Sequence, residues 1–359
     1  MGNNAMSLTD GLKIKSENIN LLRFLAALLV IFGHSFALST GDYDPICALT
    51  GDLCSCGALA VAVLFFLSGM YVSASLKRSV DRNSSTPFKI SVNFIKRRCD
   101  RIFPQLWAVV LISVFVIGAF ATTLPIKEYF LSAGTWKYLL NGALIPVHKL
   151  PGVFENSLDT TVNGALWTMP VEFAAYCFLA AVSFFCLTVK KPKLAVLAHW
   201  AALAAALAAM TYAIYIDNHF FIRVFRPIAF FMIGALYCDY SDKIRLNVPL
   251  GLVCLALAAI GFFTPVLNYI LPLTLPYAIV SLCLKPKQLK SVGFIGKISY
   301  EMYLFGVPTQ QVIALLFSGS ISPMLMFILS ASADILLALC LYTAVEKLNQ
   351  RIKKKLKKA

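Results

Sequence analysis

His34 lies eleven residues after Arg23 inside an apolar run, Leu21-Leu22-Arg23-Phe24 through Ile31-Phe32-Gly33-His34-Ser35. An imidazole changes charge near neutral pH and can serve as general base or nucleophile. Inside hydrocarbon an ionisable group is costly, so it marks a functional site by default. At ~1.5 Å rise per residue the two side chains stand ~16 Å apart along a helix, one at an edge and one inside. Two plainer readings stand beside this one: Arg23 as an anchor reaching the head groups, and His34 as an imidazole bonded to a neighbouring helix.

A carboxylate stands at a comparable depth. In Asn163-Gly164-Ala165-Leu166-Trp167-Thr168-Met169-Pro170-Val171-Glu172, Trp167 suits a membrane interface and Pro170 loosens the helix. Glu172 then lies about two turns in and His34 about one turn in from the outer face. A His–Glu pair facing one outer cavity is therefore allowed, and a carboxylate beside an imidazole raises its basicity and fixes its tautomer.

Three further features carry polar chemistry. Lys96-Arg97-Arg98-Cys99-Asp100-Arg101 places Arg98 and Arg101 one turn apart on one helix face. Inner-face anchoring explains the charge, and an R-x-x-R face also suits a two-pronged grip on phosphate. Leu64-Phe65-Phe66-Leu67-Ser68-Gly69-Met70 reads as close helix packing, and the absence of a G-x-S-x-G elbow argues against Ser68 as a nucleophile. Asp334 falls mid-span with its role open, and pairing with a basic group of the bundle is one reading of it.

The elements that must hold these residues are membrane helices. The chain is 59% hydrophobic and 14% charged over 359 residues, with mean hydropathy +0.77. That composition excludes a soluble domain and predicts an all-α integral membrane protein. Ten apolar segments read as spans, about 21–38, 57–76, 102–122, 163–188, 194–215, 221–238, 248–264, 267–284, 299–317 and 323–345. With the N-terminus in the cytoplasm, 27 of the 32 Lys and Arg fall inside; only Lys127, Lys137, Lys149, Arg223 and Arg226 fall outside. This is the positive-inside pattern, and it returns the C-terminus to the cytoplasm. The expected organisation is a cytoplasmic segment 1–20, a membrane domain 21–345 and a basic tail 346–359 lying against anionic lipid rather than nucleic acid. No cleavable signal peptide and no internal repeat is evident. Residues 77–101, with a turn at Asn83-Ser84-Ser85-Thr86-Pro87, form an inner loop, and 123–162 form an outer loop able to hold a short interfacial helix. Cys47, Cys54 and Cys56 cluster outside, where a disulfide from Cys47 to either of the others stands as an open alternative. With no His nearby, a metal site is not expected.

Together, Arg23-x10-His34, Phe65-Phe66-Leu67-Ser68-Gly69, Arg98-x-x-Arg101-Ile102-x-Pro104, the Asn163-to-Glu172 segment and Ile298-Ser299-Tyr300-x-x-Tyr303-Leu304 resemble the acyltransferase family 3 membrane proteins, in order and over about 17–346. That resemblance implies transfer of an acyl group, commonly acetyl, from acyl-CoA to an extracytoplasmic saccharide such as O-antigen or exopolysaccharide. It implies His34 and Glu172 as the catalytic pair and Arg98 and Arg101 as donor phosphate contacts. We extend the donor side to Arg23 and Arg97 and place Asn163 and Trp167 at the acceptor. Acetyl-CoA acts as substrate, with no resident cofactor and no metal. The setting is a bacterial inner membrane, with polysaccharide-assembly proteins as partners. Two departures stand out. Gly306 takes the place of a histidine that many relatives carry, and no esterase-like domain is appended. The competing class is a proton-coupled transporter or flippase with His34, Glu172 and Asp334 as a relay, for which internal repeats would be expected. A third class is a non-catalytic scaffold of polysaccharide assembly.

Overall fold

The computed structural model describes residues 6–14, 16–82, 86–285, 289 and 295–356. Each of the ten apolar segments is a helix: α1 (Glu17–Ser39), α2 (Cys56–Arg82), α3 (Pro87–Ile112), α4 (Thr168–Thr188), α5 (Lys193–Tyr215), α6 (His219–Asp239), α7 (Val248–Gly261), α8 (Leu267–Leu284), α9 (Ser299–Leu316) and α10 (Pro323–Leu356). The described residues contain no strand, only isolated bridges at Ser7–Arg245 and Thr122–Val153. An apolar chain in lipid must satisfy its backbone within each segment, and helices do so. The molecule is an all-α, multi-pass membrane protein.

Among the described residues, eight helices are long and apolar enough to cross a membrane. The other two are α7 and α9. At 14 residues, α7 reaches only ~21 Å, and α9 carries buried Glu301, Gln310 and Gln311, which lower its hydropathy. The basic stretch expected as an inner loop is largely helix, because α2 runs on to Arg82 and α3 begins at Pro87. Lys and Arg are good helix formers, and proline is favoured in a first turn. The expected turn at Asn83-Ser84-Ser85 lies outside the described residues.

The chain divides into two compact units. The first comprises Met1–Ala26, Pro45–Arg98 and Val171–Gly296. Its centre is the crossing of α2 and α6, where glycines let two backbones meet. A Cβ on Gly69 would run into the Phe231 carbonyl, and one on Gly234 into the Phe66 carbonyl and, at 2.7 Å, the Met70 nitrogen. His199 on α5 and Asp239 on α6 close to 2.7 Å. Arg226 is buried and donates to Asn268 Oδ1 at 2.6 Å and to the Leu53 carbonyl, tying the N-terminal half of α6 to α8 and to the loop before α2. In that loop no disulfide forms: the Cys47 thiol donates to Asp52 Oδ1 at 3.1 Å.

The second unit comprises Ala27–Asp44, Cys99–Pro170 and Lys297–Ala359. Here α3 continues through a π-helical turn, Ser113–Gly118, and the Tyr129 hydroxyl donates to the Val114 carbonyl at 2.8 Å. Burial pushes the Tyr129 phenol up to about 12. The stretch 123–162 is an ordered cap: short helices Ile126–Leu131 and Ala133–Lys137, then a 3-10 turn Tyr138–Ala143. Asn141 donates to and accepts from Val147, and Gln311 of α9 donates to the carbonyls of Asp159 and Thr161 at 2.7 Å.

Candidate active site

His34 is half-buried on α1, and the turn that carries it is clamped. Gln310, fully buried on α9, donates from Nε2 to the Ile31 carbonyl at 2.7 Å and to Ser35 Oγ at 2.8 Å. Ser35 Oγ in turn donates to the Ile31 carbonyl at 2.8 Å. Ile31 and Ser35 bracket His34, so one amide fixes the rotation of the helix at that point. Gly306, one turn earlier on the same face of α9, permits the approach: a Cβ there would sit 3.1 Å from Ile31 Cγ1. The opposite end of the amide, Oε1, has no hydrogen-bond partner.

Asp334 on α10 is fully buried, and Oδ2 lies 3.8 Å from the position a Gly306 Cβ would take. No ion pair to Asp334 forms among the described residues, and the polar group against its carboxylate is the Thr309 hydroxyl. A buried acceptor without a donor is costly, and α9 carries such acceptors at Glu301 Oε2, Gln310 Oε1 and Gln311 Oε1.

Glu172 lies in the second turn of α4, in the first unit. Ser68 Oγ of α2 donates to Glu172 Oε1 at 2.9 Å and stands 2.8 Å from the Tyr176 hydroxyl. Tyr176, one turn on along α4, donates to the same carboxylate oxygen. Ser68 therefore does more than pack: Gly69 makes the helix contact and Ser68 holds Glu172. Tyr176 went unread although its place four positions after Glu172, one helical turn on, is a signal that could have found it, whereas nothing in the sequence ties Ser68 to a residue 104 positions away. His34 lies in the second unit and Glu172 in the first, so the pairing expected of them rests on the sequence.

The start of α4 is shaped by Asn163, which is fully buried. Its Oδ1 accepts from Ala165 N at 3.2 Å, capping the 3-10 turn Gly164–Trp167, and its Nδ2 donates to the Leu304 carbonyl at 2.9 Å. Both ends of this amide are spent on protein, which makes Asn163 a builder of the segment. Thr168 Oγ1 lies 2.8 Å from the Tyr303 hydroxyl, and Trp167 is half-buried.

The basic residues divide. The Arg23 guanidinium lies over the Tyr71 ring at 5.1 Å and that of Arg98 over Phe94 at 5.6 Å. Arg97 donates to Ser79 Oγ at 2.9 Å, and Arg97 and Arg101 are exposed. A guanidinium stacked on an aromatic face is held in place by the ring quadrupole, which fixes the position of Arg23 and Arg98.

A multi-pass helical membrane protein with a carboxylate held by two hydroxyls, and an imidazole on a helix turn braced by a buried amide, is the class these features define. The chain belongs to the acyltransferase domain family, whose profile it matches over residues 16–343. It is similar to the O-acetyl transferase of Shigella phage Sf6, 29% identical over 162 residues. That match covers 45% of this chain and 44% of the phage protein, so the chain spans less than half the length of this relative. No solved structure matches it.

Proposed function

We propose that the protein O-acylates a saccharide at a bacterial inner membrane, moving an acetyl group from cytoplasmic acetyl-CoA to a sugar hydroxyl on the opposite face. The family match over 16–343 is the observation that carries this reading, and the name of the phage relative narrows the group to acetyl. The donor phosphates dock on Arg97, Arg98 and Arg101, with Arg23 at the same inner edge, and Trp167 borders the acceptor. His34 takes the proton of the acceptor hydroxyl. The sugar oxygen attacks the thioester carbonyl, a C–O bond forms, the C–S bond breaks, and the proton leaves with the thiolate as CoA-SH. Glu172, held by Ser68 and Tyr176, supplies the carboxylate that steadies the charged imidazole. The N- and C-termini lie on the donor side, in keeping with the distribution of Lys and Arg.

Purified protein in liposomes, given labelled acetyl-CoA on one side and a saccharide acceptor on the other, should label the acceptor. His34→Ala should abolish labelling while accumulating normally in the membrane. Near-normal labelling by that variant rules out His34 as the base.

A further inference from the structure

The ordered cap of the second unit contains a groove of about 370 Å³ lined by Gly134, Lys149, Pro151, Val153, Glu155 and Thr160. That volume falls at the small end of ligand sites, ~300–1,000 Å³. The groove holds two opposite charges that do not close on each other, since Lys149 and Glu155 form no ion pair. The Lys149 ammonium and the Thr160 hydroxyl make no side-chain hydrogen bond to another described residue. Glu155 is already oriented: its carboxylate accepts from Gly152 N at 3.3 Å and from Thr123 Oγ1 at 3.5 Å. A donor, an acceptor and a hydroxyl thus face the groove above an apolar floor of Val153 and Pro151.

The wall is rigid. Gly152 has φ +71° and Phe154, a buried non-glycine residue, φ +56°. A side chain in the left-handed region persists only where its surroundings over-determine it, and such strain gathers at binding sites. The determinants are present: Thr123 N donates to the Gly152 carbonyl at 2.8 Å, Thr122 Oγ1 to the Pro151 carbonyl at 2.9 Å, and Val162 N to the His148 carbonyl at 2.7 Å. A preformed polar groove spends little ordering entropy on its ligand.

We propose that this groove binds one or two sugar rings of the acceptor glycan, away from the hydroxyl that reacts. A pyranose offers hydroxyls that both donate and accept around its rim and an apolar C–H face, which matches Lys149, Glu155 and Thr160 above Val153 and Pro151. The inference rests on the saccharide acceptor proposed above and extends it from a reacting hydroxyl to a recognised chain.

The test uses the full-length protein in lipid nanodiscs and saturation-transfer NMR with the methyl α-glycosides of glucose, galactose, mannose and rhamnose. Transfer to the ring C–H protons of at least one glycoside is expected in the wild type. It should be lost in Lys149→Ala/Thr160→Val, which gives up no side-chain hydrogen bond within the protein and should keep its melting temperature. It should persist in His34→Ala. Transfer to none of the four, or undiminished transfer in the double variant, overturns the groove. Acetylation that fails in liposomes while sugar binding survives would instead sink the acyl-transfer reading and leave the groove standing.

Discussion

Gln310→Met separates the geometry of the His34 turn from the stability of the second unit. The change removes two hydrogen bonds, worth about 1 kcal/mol each in net terms. It also removes the partnerless Oε1, whose burial costs about 1–3 kcal/mol. No new orphan appears, because Ser35 Oγ continues to donate to the Ile31 carbonyl. The two contributions offset each other, methionine fills a similar volume, and the variant should accumulate and melt close to wild type.

Catalysis should respond very differently. The imidazole of His34 projects about 6 Å from the axis of α1, half the diameter of a helix with its side chains. A roll of about 10° then moves it about 1 Å, and a misplacement of that size costs on the order of 100-fold in rate. With the amide gone, the turn loses the two hydrogen bonds by which α9 opposes that roll. Initial rates in nanodiscs should show kcat down roughly 10- to 100-fold with KM for acetyl-CoA unchanged. The pH–rate profile should change shape, as no purely structural loss would require. Since His34→Ala already removes the group being aimed, adding Gln310→Met to it should cost nothing more. A kcat equal to wild type, alongside an inactive His34→Ala, would refute the clamp.

Three other outcomes follow from contacts described above. Gly69→Ala drives a methyl into the Phe231 carbonyl, so α2 and α6 must part; a loss of about 1–3 kcal/mol is expected, visible as a lower melting temperature, together with lost activity as Ser68 leaves Glu172. Tyr176→Phe removes a hydrogen bond to a carboxylate worth about 1.5–3 kcal/mol, so kcat should fall roughly 10- to 100-fold, with a smaller fall for Ser68→Ala; unchanged rates in both variants would detach Glu172 from the chemistry. Arg98→Ala and Arg101→Ala should raise KM for acetyl-CoA and spare kcat, with lysine restoring only part of the affinity; titration of the donor decides this, and a fall in kcat at constant KM contradicts the phosphate role.

The membrane fold was legible because hydropathy and charge report on it directly: all ten apolar segments are helices. What misled was charge read as loop. Lys77 to Arg101 are basic because they meet an aqueous face, and helices cross that boundary without ending, so α2 and α3 run well into the basic stretch. Asp334 was legible as an anomaly and its neighbours were not, since mid-span position fixes the cost of a charge and says nothing of what stands beside it. Gln310 was invisible for the opposite reason. Gln310-Gln311 reads as a polar interruption of an apolar helix, and its partner turn lies 275 residues away, a separation no periodicity spans.

The groups that hold the site residues share one property that bears on mechanism. Glu172 is fixed by two hydroxyls, and the His34 turn by an amide and a hydroxyl; no cation neutralises Glu172 among the described residues. A counter-ion in a low-dielectric interior would fix geometry too, but by stabilising one charge state strongly, and it would hold a base in whichever protonation state suited the pair. In the proposed reaction the base gains and loses a proton in each turnover, and the carboxylate that steadies it must stay available as the imidazole becomes charged. Hydroxyls and amides orient without locking charge, because they reorient or yield a hydrogen bond at a cost near 1 kcal/mol rather than several. Tyr176 and Ser68 also form a closed triangle with Glu172 Oε1, so movement of either hydroxyl is felt by the other two groups. Coupling of that kind makes Ser68→Ala and Tyr176→Phe non-additive: the double variant should lose less activity than the product of the single losses, and strictly multiplicative losses would mean the two hydroxyls act independently.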